Sequence, residues 1–504
     1  MYDADDENAL LVDAVDGYFV PTFKIDSLAV LRAAVGDDGE KEQRARSLRT
    51  ERAWKCHRSV PSGDREAARG FPSRSPIYRL AFDKESFYKV HMEGRWLARP
   101  LAAALRRPYV HILFGARQTG KSTLLRSLLP SPALRIDLSE PGQRAAYLAR
   151  PRTLVEECRA LPRARRPHVV VVDEAQSVPA LFDAVQHLYD TERARYRFVL
   201  CGSSARKLRR TGANLLPGRA VLHHLHALTL SERPSDVEEE GATAGVSPLP
   251  LAGEVAGGPL FPRASLLERL TFGELPGIAL APRGDRAAVL RAYAYVYLEE
   301  ELRREALIKD WAPFARFLRL AAVESGQIVN YARISREAGV SMPTVKSYYD
   351  LLEDMFVGFR VPAFSGSARK HVLSTPRFCF FDLGVRHAAA DLAVARDTVL
   401  ANPGPVFEQW VGIELWKRLQ YRGRGSLSYL RTKAGAEVDW IVDDGKRLIP
   451  FEVKWSENPS PVDVRHLRAF LAEQRRASHG YVVCRCSRPR RIADNVTALP
   501  WWAL

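Results

Sequence analysis

Apolar positions along this chain change their spacing several times, and each change marks an element. Residues 1 to about 75 hold no sustained apolar face, and stretches such as DDGEKEQRARSLRTER are charged throughout. Such a segment buries too little apolar surface to offset its chain entropy. It is expected to be a disordered or upstream extension over 1–90, with a start near Met92. GRWLARPLAAALRRP, from Gly94, has helical spacing. From Tyr109, YVHILFG predicts a strand and KSTLLRSLL a helix, and LRIDL, HVVVVDEAQ and YRFVLCGSS predict three further strands. The unbroken VVVV run is the mark of a strand covered on both faces. Strands alternating with helices predict an α/β fold, a parallel sheet with helices on both faces, over 91–230.

Ser231 to Pro262 breaks this rhythm. The stretch is rich in Gly and Pro, opens acidic, and is expected to be a disordered insertion over 231–262. Helical spacing resumes at Ser265 and dominates 263–365. Within it, ARISREAG, a turn at Gly339 and Val340, and TVKSYYDLLEDM capped by Ser341 form a helix-turn-helix pattern. Thr344, Lys346 and Ser347 would face nucleic acid, while Asp350, Glu353 and Asp354 oppose it. Strands and helices alternate again from about Thr375, giving a second α/β domain over 366–504.

Composition narrows the setting. No apolar run approaches the roughly 18 residues of a membrane helix. Asp3, Asp5, Asp6 and Glu7 have the wrong sign for a signal peptide. Six scattered cysteines without a CxxC pair argue against a zinc site or a disulfide framework. A cytoplasmic protein is expected, with no membrane partner. The net charge of +16 favours a polyanionic partner, most commonly nucleic acid.

The chemistry begins at GARQTGKS: Gly115, Ala116, Arg117, Gln118, Thr119, Gly120, Lys121 and Ser122, followed by Thr123. This is G-x-x-x-x-G-K-Ser between a strand and a helix. The glycines let backbone amides curl around phosphate oxygens, and the helix aims its first amides at the same anion. Lys121 would reach the β- and γ-phosphates, and Ser122 would ligate Mg2+. Asp173, at the end of the VVVV strand, would hold Mg2+ through water, and Glu174 would polarise the attacking water. Ser203, or Ser204 beside it, could read the γ-phosphate, though a serine after a strand is also a common turn residue. Arg219 is a candidate arginine finger; one acting between subunits would imply a homo-oligomer.

GARQTGKSTLL, VVVVDEAQ, CGSSARKL with NLLPGRA, and FGELPGI together resemble the AAA-type ATPases of bacteria and archaea fused to a C-terminal domain of uncharacterised function. The likeness continues in YLEEEL, FFDLGVRHA, FEQWVGIEL, EVDWIV and FEVKWS. It implies ATP and Mg2+, an AAA core, a winged-helix-like segment and a nuclease-like C-terminal fold. GAEVDWIVDDGKRLIPFEVKW resembles the D…E-x-K pattern of the restriction-endonuclease-like, PD-(D/E)xK, superfamily. There Asp439 and Glu452 would hold Mg2+, Glu408 could add a ligand, and Lys454 would orient water. Phe451, Val453 and Trp455 alternate with the charges, which predicts one apolar and one polar face. Two functions remain open: an ATPase coupled to nucleic-acid binding or processing, or an ATP-dependent regulatory protein whose nuclease-like domain is inactive.

Overall fold

A computed structural model describes residues 94–204, 216–237, 247–248, 261–298, 302–303, 308, 310–364, 375–432 and 435–504. The expected extension over 1–90 and most of the expected insertion lie outside these residues.

The first described layer runs α1 (Ala98–Ala104), β1 (Val110–Phe114), α2 (Lys121–Leu128), β2 (Leu134–Asp137), α3 (Pro141–Ala149), α4 (Thr153–Ala160), β3 (His168–Asp173), α5 (Ala180–Glu192), β4 (Tyr196–Gly202) and β5 (Ala220–His224). The five strands form one sheet in the order β2-β3-β4-β1-β5, and every neighbouring pair is parallel. Alternate residues of each central strand feed different cores. Val170, Val172, Phe198 and Leu200 pack with Leu181, Val185 and Leu188 of α5. Val171, Val199 and Cys201 pack with Leu101 of α1 and Leu124 and Leu125 of α2. Burial on both faces is why these strands read as unbroken apolar runs. All carboxyl ends leave the sheet at one edge, where Phe114 lies beside Gly202.

A mostly helical region follows: α6 (Leu266–Phe272), α7 (Pro276–Leu280), α8 (Arg286–Ala292), α9 (Trp311–Val323), α10 (Tyr331–Ala338) and α11 (Met342–Asp354). Gly339 ends α10 at φ 72°, and the Ser341 hydroxyl caps α11 by accepting from the Thr344 amide. The helix-turn-helix spacing is therefore present. Asp350 and Glu353 of α11 are both paired with Arg360, at 2.7 and 2.8 Å, which offsets their charge. An antiparallel ribbon, β6 (Gly358–Val361) and β7 (Arg377–Phe380), comes next.

One part of the expected insertion is folded. Glu232 and Arg233 are buried, and Arg233 pairs with Glu268 at 2.6 Å and with Glu274 at 3.2 Å. The acidic, Pro-containing start at 231–237 thus belongs to the packed body. Its charges look solvated in sequence because their partners are distant, 35 and 41 residues away for Arg233 and 137 for Glu232.

The last part comprises α12 (Leu383–Ala389), α13 (Arg396–Ala401), α14 (Pro403–Arg422), β8 (Ser426–Arg431), β9 (Glu437–Asp443), β10 (Leu448–Val453), α15 (Arg465–Glu473), β11 (Gly480–Cys484), β12 (Arg490–Ala493) and β13 (Val496–Pro500). Six strands form a mixed sheet, β12-β13-β11-β10-β9-β8. The 20-residue α14 lies against it. A Cβ at Gly412 would stand 2.4 Å from Cζ2 of Trp440, so only glycine allows this approach. The expected half-polar β10 is instead buried along its whole length. Alternation survives in the sequence, but the charged face turns into an acidic interior rather than to water.

Candidate nucleotide site and a C-terminal acidic cluster

The phosphate-type loop sits between β1 and α2 and is shaped by its glycines. A Cβ at Gly115 would stand 2.2 Å from the Leu225 carbonyl oxygen, and Gly120 turns into α2 at φ 91°. Gln118 also adopts a positive φ, 60°, at the loop's exposed tip. Thr119 donates its hydroxyl to the Ala116 carbonyl at 2.9 Å. Lys121 is buried, and its ammonium donates to the carbonyls of Gly115 and Ala116, both at 2.9 Å. Ser122 and Thr123 follow on α2, half-buried.

The other edge residues converge on the same place. Asp173 ends β3, is buried, and accepts from the Glu174 amide at 3.0 Å. The Cys201 thiol, on the neighbouring strand, donates to Asp173 at 2.6 Å. Burial, then the Asp173 charge, pushes that thiol well above its ordinary range, so it stays protonated as a donor. Glu174 has a left-handed backbone, φ 52°. Its Oε2 accepts from Gln176 Nε2 at 2.6 Å and from the Ser203 hydroxyl at 3.3 Å, and Arg117 lies 3.9 Å away. Gln176 also donates to Ser203 Oγ at 3.0 Å.

Arg219 does not join this group. It precedes β5, and its carbonyl accepts from the Val110 amide at the start of β1, so it stands at the opposite, amino-terminal edge of the sheet. Its guanidinium pairs with Asp190 at 2.6 Å. A finger role for Arg219 would require a phosphate brought by another chain.

Behind the loop lies a cavity of about 140 Å³, lined by Gly115, Ala116 and Thr119 on one side and by Phe359, Trp416 and Lys417 on the other. Helix α14 forms its far wall. There the His226 amide donates to the Tyr421 hydroxyl at 3.1 Å, the Lys417 ammonium to the Leu228 carbonyl, and the Leu230 amide to Glu414 at 3.0 Å. Burial works to raise the Glu414 carboxyl, but Lys417 and Arg418 outweigh it and hold it down at about 2.

The C-terminal residues also converge. Asp439 accepts from the Val453 amide at 2.8 Å, and Lys454 donates to Glu452 at 2.7 Å. Burial, then the charges of Glu408 and Glu452, pushes the Asp439 carboxyl well up. Burial also raises Glu452, against the pull of Lys454. Glu408, on α14, is paired with Arg377 of β7, whose other nitrogen bonds Glu437 at 2.7 Å. Among the described residues no group of three or more His, Cys, Asp or Glu side chains is arranged to hold a metal ion.

Residues 107–233 match the family described as an AAA domain. The match supports an AAA-type ATPase. Residues 263–396 and 403–504 match two families described only as domains of unknown function, DUF8612 and DUF4143. Uncharacterized proteins of Mycobacterium tuberculosis and Mycobacterium bovis are each 26% identical over 410 residues, 81% of this chain and 84% of the relative. Among solved structures, a DNA polymerase III gamma subunit-related protein of Thermotoga maritima is 13% identical, with 64% of this chain and 99% of that one covered and a TM-score of 0.21. A variant of Thermotoga maritima RuvB is 17% identical, with 55% and 92% covered and a TM-score of 0.20. Among the described residues no helix is long and apolar enough to cross a membrane.

Several residues around the phosphate-type loop carry no signal in the sequence. Arg95 precedes the AAA match, yet its guanidinium donates to the Thr119 carbonyl at 2.8 Å, to Glu232 at 2.8 Å and to the His226 carbonyl. Gln176 lies inside the DEAQ string, but only the fold brings it to both Glu174 and Ser203, just after β4. Arg377 had no sequence signal at all, because its partners are 31 and 60 residues away.

Proposed function

We propose that this chain is a Mg2+-dependent ATP hydrolase whose nucleotide state is passed to a nucleic-acid-binding C-terminal half. The reading rests on Lys121. Its buried ammonium bonds only neutral carbonyls, and no carboxylate pairs with it among the described residues. A buried charge without a counter-ion is costly, and a phosphate anion at the loop relieves that cost. The site residues therefore fit a nucleoside triphosphate and its metal, with Ser122 and Asp173 as the oxygen donors. Bound Mg2+ would neutralise phosphate charge.

Lys121 and the loop amides then position the β- and γ-phosphates. Glu174 orients a water and takes its proton as the water oxygen bonds the γ-phosphorus and the bond to the ADP oxygen breaks. Ser203 donates to Glu174 and would sense the γ-phosphate. The excess positive charge supports a polyanionic partner. α14 supports the coupling, since it touches the 226–230 segment behind the loop and carries Glu408 into the C-terminal cluster.

Release of phosphate from ATP by the purified chain, with and without duplex DNA, tests both parts. Turnover that needs Mg2+ and vanishes in Lys121→Ala is expected, with DNA changing the rate. Absence of turnover under every condition defeats the hydrolase reading, and an unchanged rate with DNA defeats the coupling.

A further inference from the structure

The D…E-x-K resemblance reserves a place for a divalent cation among Glu408, Asp439 and Glu452. The residues as they stand do not fit one, because a side chain already occupies the cationic role. Arg377 reaches in from β7, its side chain 4% exposed, and its planar fork spans Glu408 and Glu437. The guanidinium lies 4.7 Å from the ring centre of Tyr429 and 5.1 Å from that of Trp440, so aromatic faces hold it as well. With Glu408 taken, Asp439 is tied to the Val453 amide and Glu452 to Lys454. Two built-in cations thus serve four acids, Glu408, Glu437, Asp439 and Glu452.

We infer that Arg377 is the resident cation of this cluster and closes the C-terminal domain to Mg2+, so that the nuclease-like constellation is a sealed ion-pair core. The origin of Arg377 strengthens the case. It lies in the segment matching DUF8612, whereas all four acids lie in the segment matching DUF4143. The plug is therefore also a latch between the β6–β7 ribbon and the C-terminal sheet. Ion-pair geometry suits it to this place: guanidinium is permanently charged, bidentate toward carboxylates and only weakly hydrated. Glu452 Oε2 stays buried without a partner, which marks where cation-binding capacity would reappear once the arginine leaves. The inference does not depend on ATP turnover.

The test is calorimetric titration of the nucleotide-free full chain with Mn2+, wild type beside Glu452→Gln, Arg377→Gln and the double variant. The wild type and Glu452→Gln are expected to give the same isotherm up to about 1 mM Mn2+. Arg377→Gln should gain a site at least about tenfold tighter, and the double variant should lose it. A saturable wild-type site that disappears in Glu452→Gln overturns the inference, as does a folded Arg377→Gln that binds Mn2+ no better than the wild type. Should Arg377→Gln fail to fold, the wild-type and Glu452→Gln isotherms decide alone: identical curves support the plug, and a Glu452-dependent site defeats it.

Discussion

Arg95 is joined to Thr119 by a 2.8 Å bond from its guanidinium to the backbone carbonyl, which ties the phosphate-type loop to a residue ahead of the AAA match. The same guanidinium is paired with Glu232, and both side chains are wholly buried. Glu232 in turn accepts from the amides of Trp96 and Thr229, at 2.8 and 2.7 Å. One ion pair therefore fixes the loop, the entry to α1 and the segment after β5.

Removing one partner of such a pair strands the other charge in the interior. Arg95→Met should lower unfolding stability by about 3–5 kcal/mol. Arg95→Met/Glu232→Gln should recover part of that loss, because the uncompensated charge is gone. Urea denaturation of the three proteins checks this; a single variant with a wild-type midpoint would mean the pair contributes nothing.

The proposed nucleotide site rests on Lys121. Each charge-assisted bond is worth about 1.5–3 kcal/mol, so Lys121→Ala should weaken Mg-ATP binding at least about 100-fold. Calorimetry with Mg-ATP reads this directly. The loop should keep its shape, since Gly115, Gly120 and the Thr119–Ala116 bond do not need the lysine.

Glu174 and Gln176 should separate binding from chemistry. Glu174→Gln is expected to bind Mg-ATP as the wild type does and to lose about 10²–10⁴ in turnover, the usual worth of a placed general base. Gln176→Ala removes the donor that bridges Glu174 and Ser203. Its kcat should fall with Kd unchanged, by less than in Glu174→Gln, because the base remains but is no longer held. Equal turnover in Gln176→Ala and wild type would count against the bridge.

Legibility in the sequence followed the range of each interaction. β1 to β4 and the loop were readable because a buried parallel strand and a glycine turn are written in consecutive residues. β5 was missed: AVLHH ends in two histidines, and His223 is accommodated by a 3.2 Å ring-nitrogen bond to His111 of β1 and by stacking on it, ring centres 5.4 Å apart. Helix α14 was visible, but not its surroundings, since Glu414, Lys417 and Arg418 are buried like its leucines. The C-terminal acids were found from spacing. What neutralises them was not, because Arg377 arrives from another segment. Arg219 fitted a pattern by its neighbours, and only the parallel register shows that it stands at the edge opposite its own chain's loop.

His387 makes stability depend on pH. Burial, then the neighbouring Arg386, pushes its imidazole down to about 3, so the folded chain keeps it neutral. An unfolded histidine takes up a proton near pH 6.5. Below that pH the unfolded state holds more protons, and stability falls as pH falls from about 6.5 toward 3. The loss from this group should reach about 2 kcal/mol by pH 5. His387→Gln should lose correspondingly less stability between pH 7 and pH 5 than the wild type. Denaturation at the two pH values tests it, and parallel profiles would remove His387 from the account.

The last expectation concerns α14 as a rod between the two halves. Its carboxyl-terminal turns touch the segment behind the loop through Tyr421 and Lys417, and Trp416 stacks on Phe359 with ring centres 4.0 Å apart. Its amino-terminal half carries Glu408, and the Trp440 indole donates to the Glu408 carbonyl at 2.9 Å. A 20-residue helix spans about 30 Å and bends little, so a shift at one end is felt at the other. In Glu174→Gln, which should hold ATP without consuming it, Mg-ATP is expected to slow amide hydrogen exchange at 225–230 and also along 408–422. Tyr421→Phe deletes the hydroxyl that receives the His226 amide while leaving the ring in place. It should keep the protection at 225–230 and lose most of it in α14. Protection confined to the AAA domain in both proteins would mean that the helix is a support and not a transmitter.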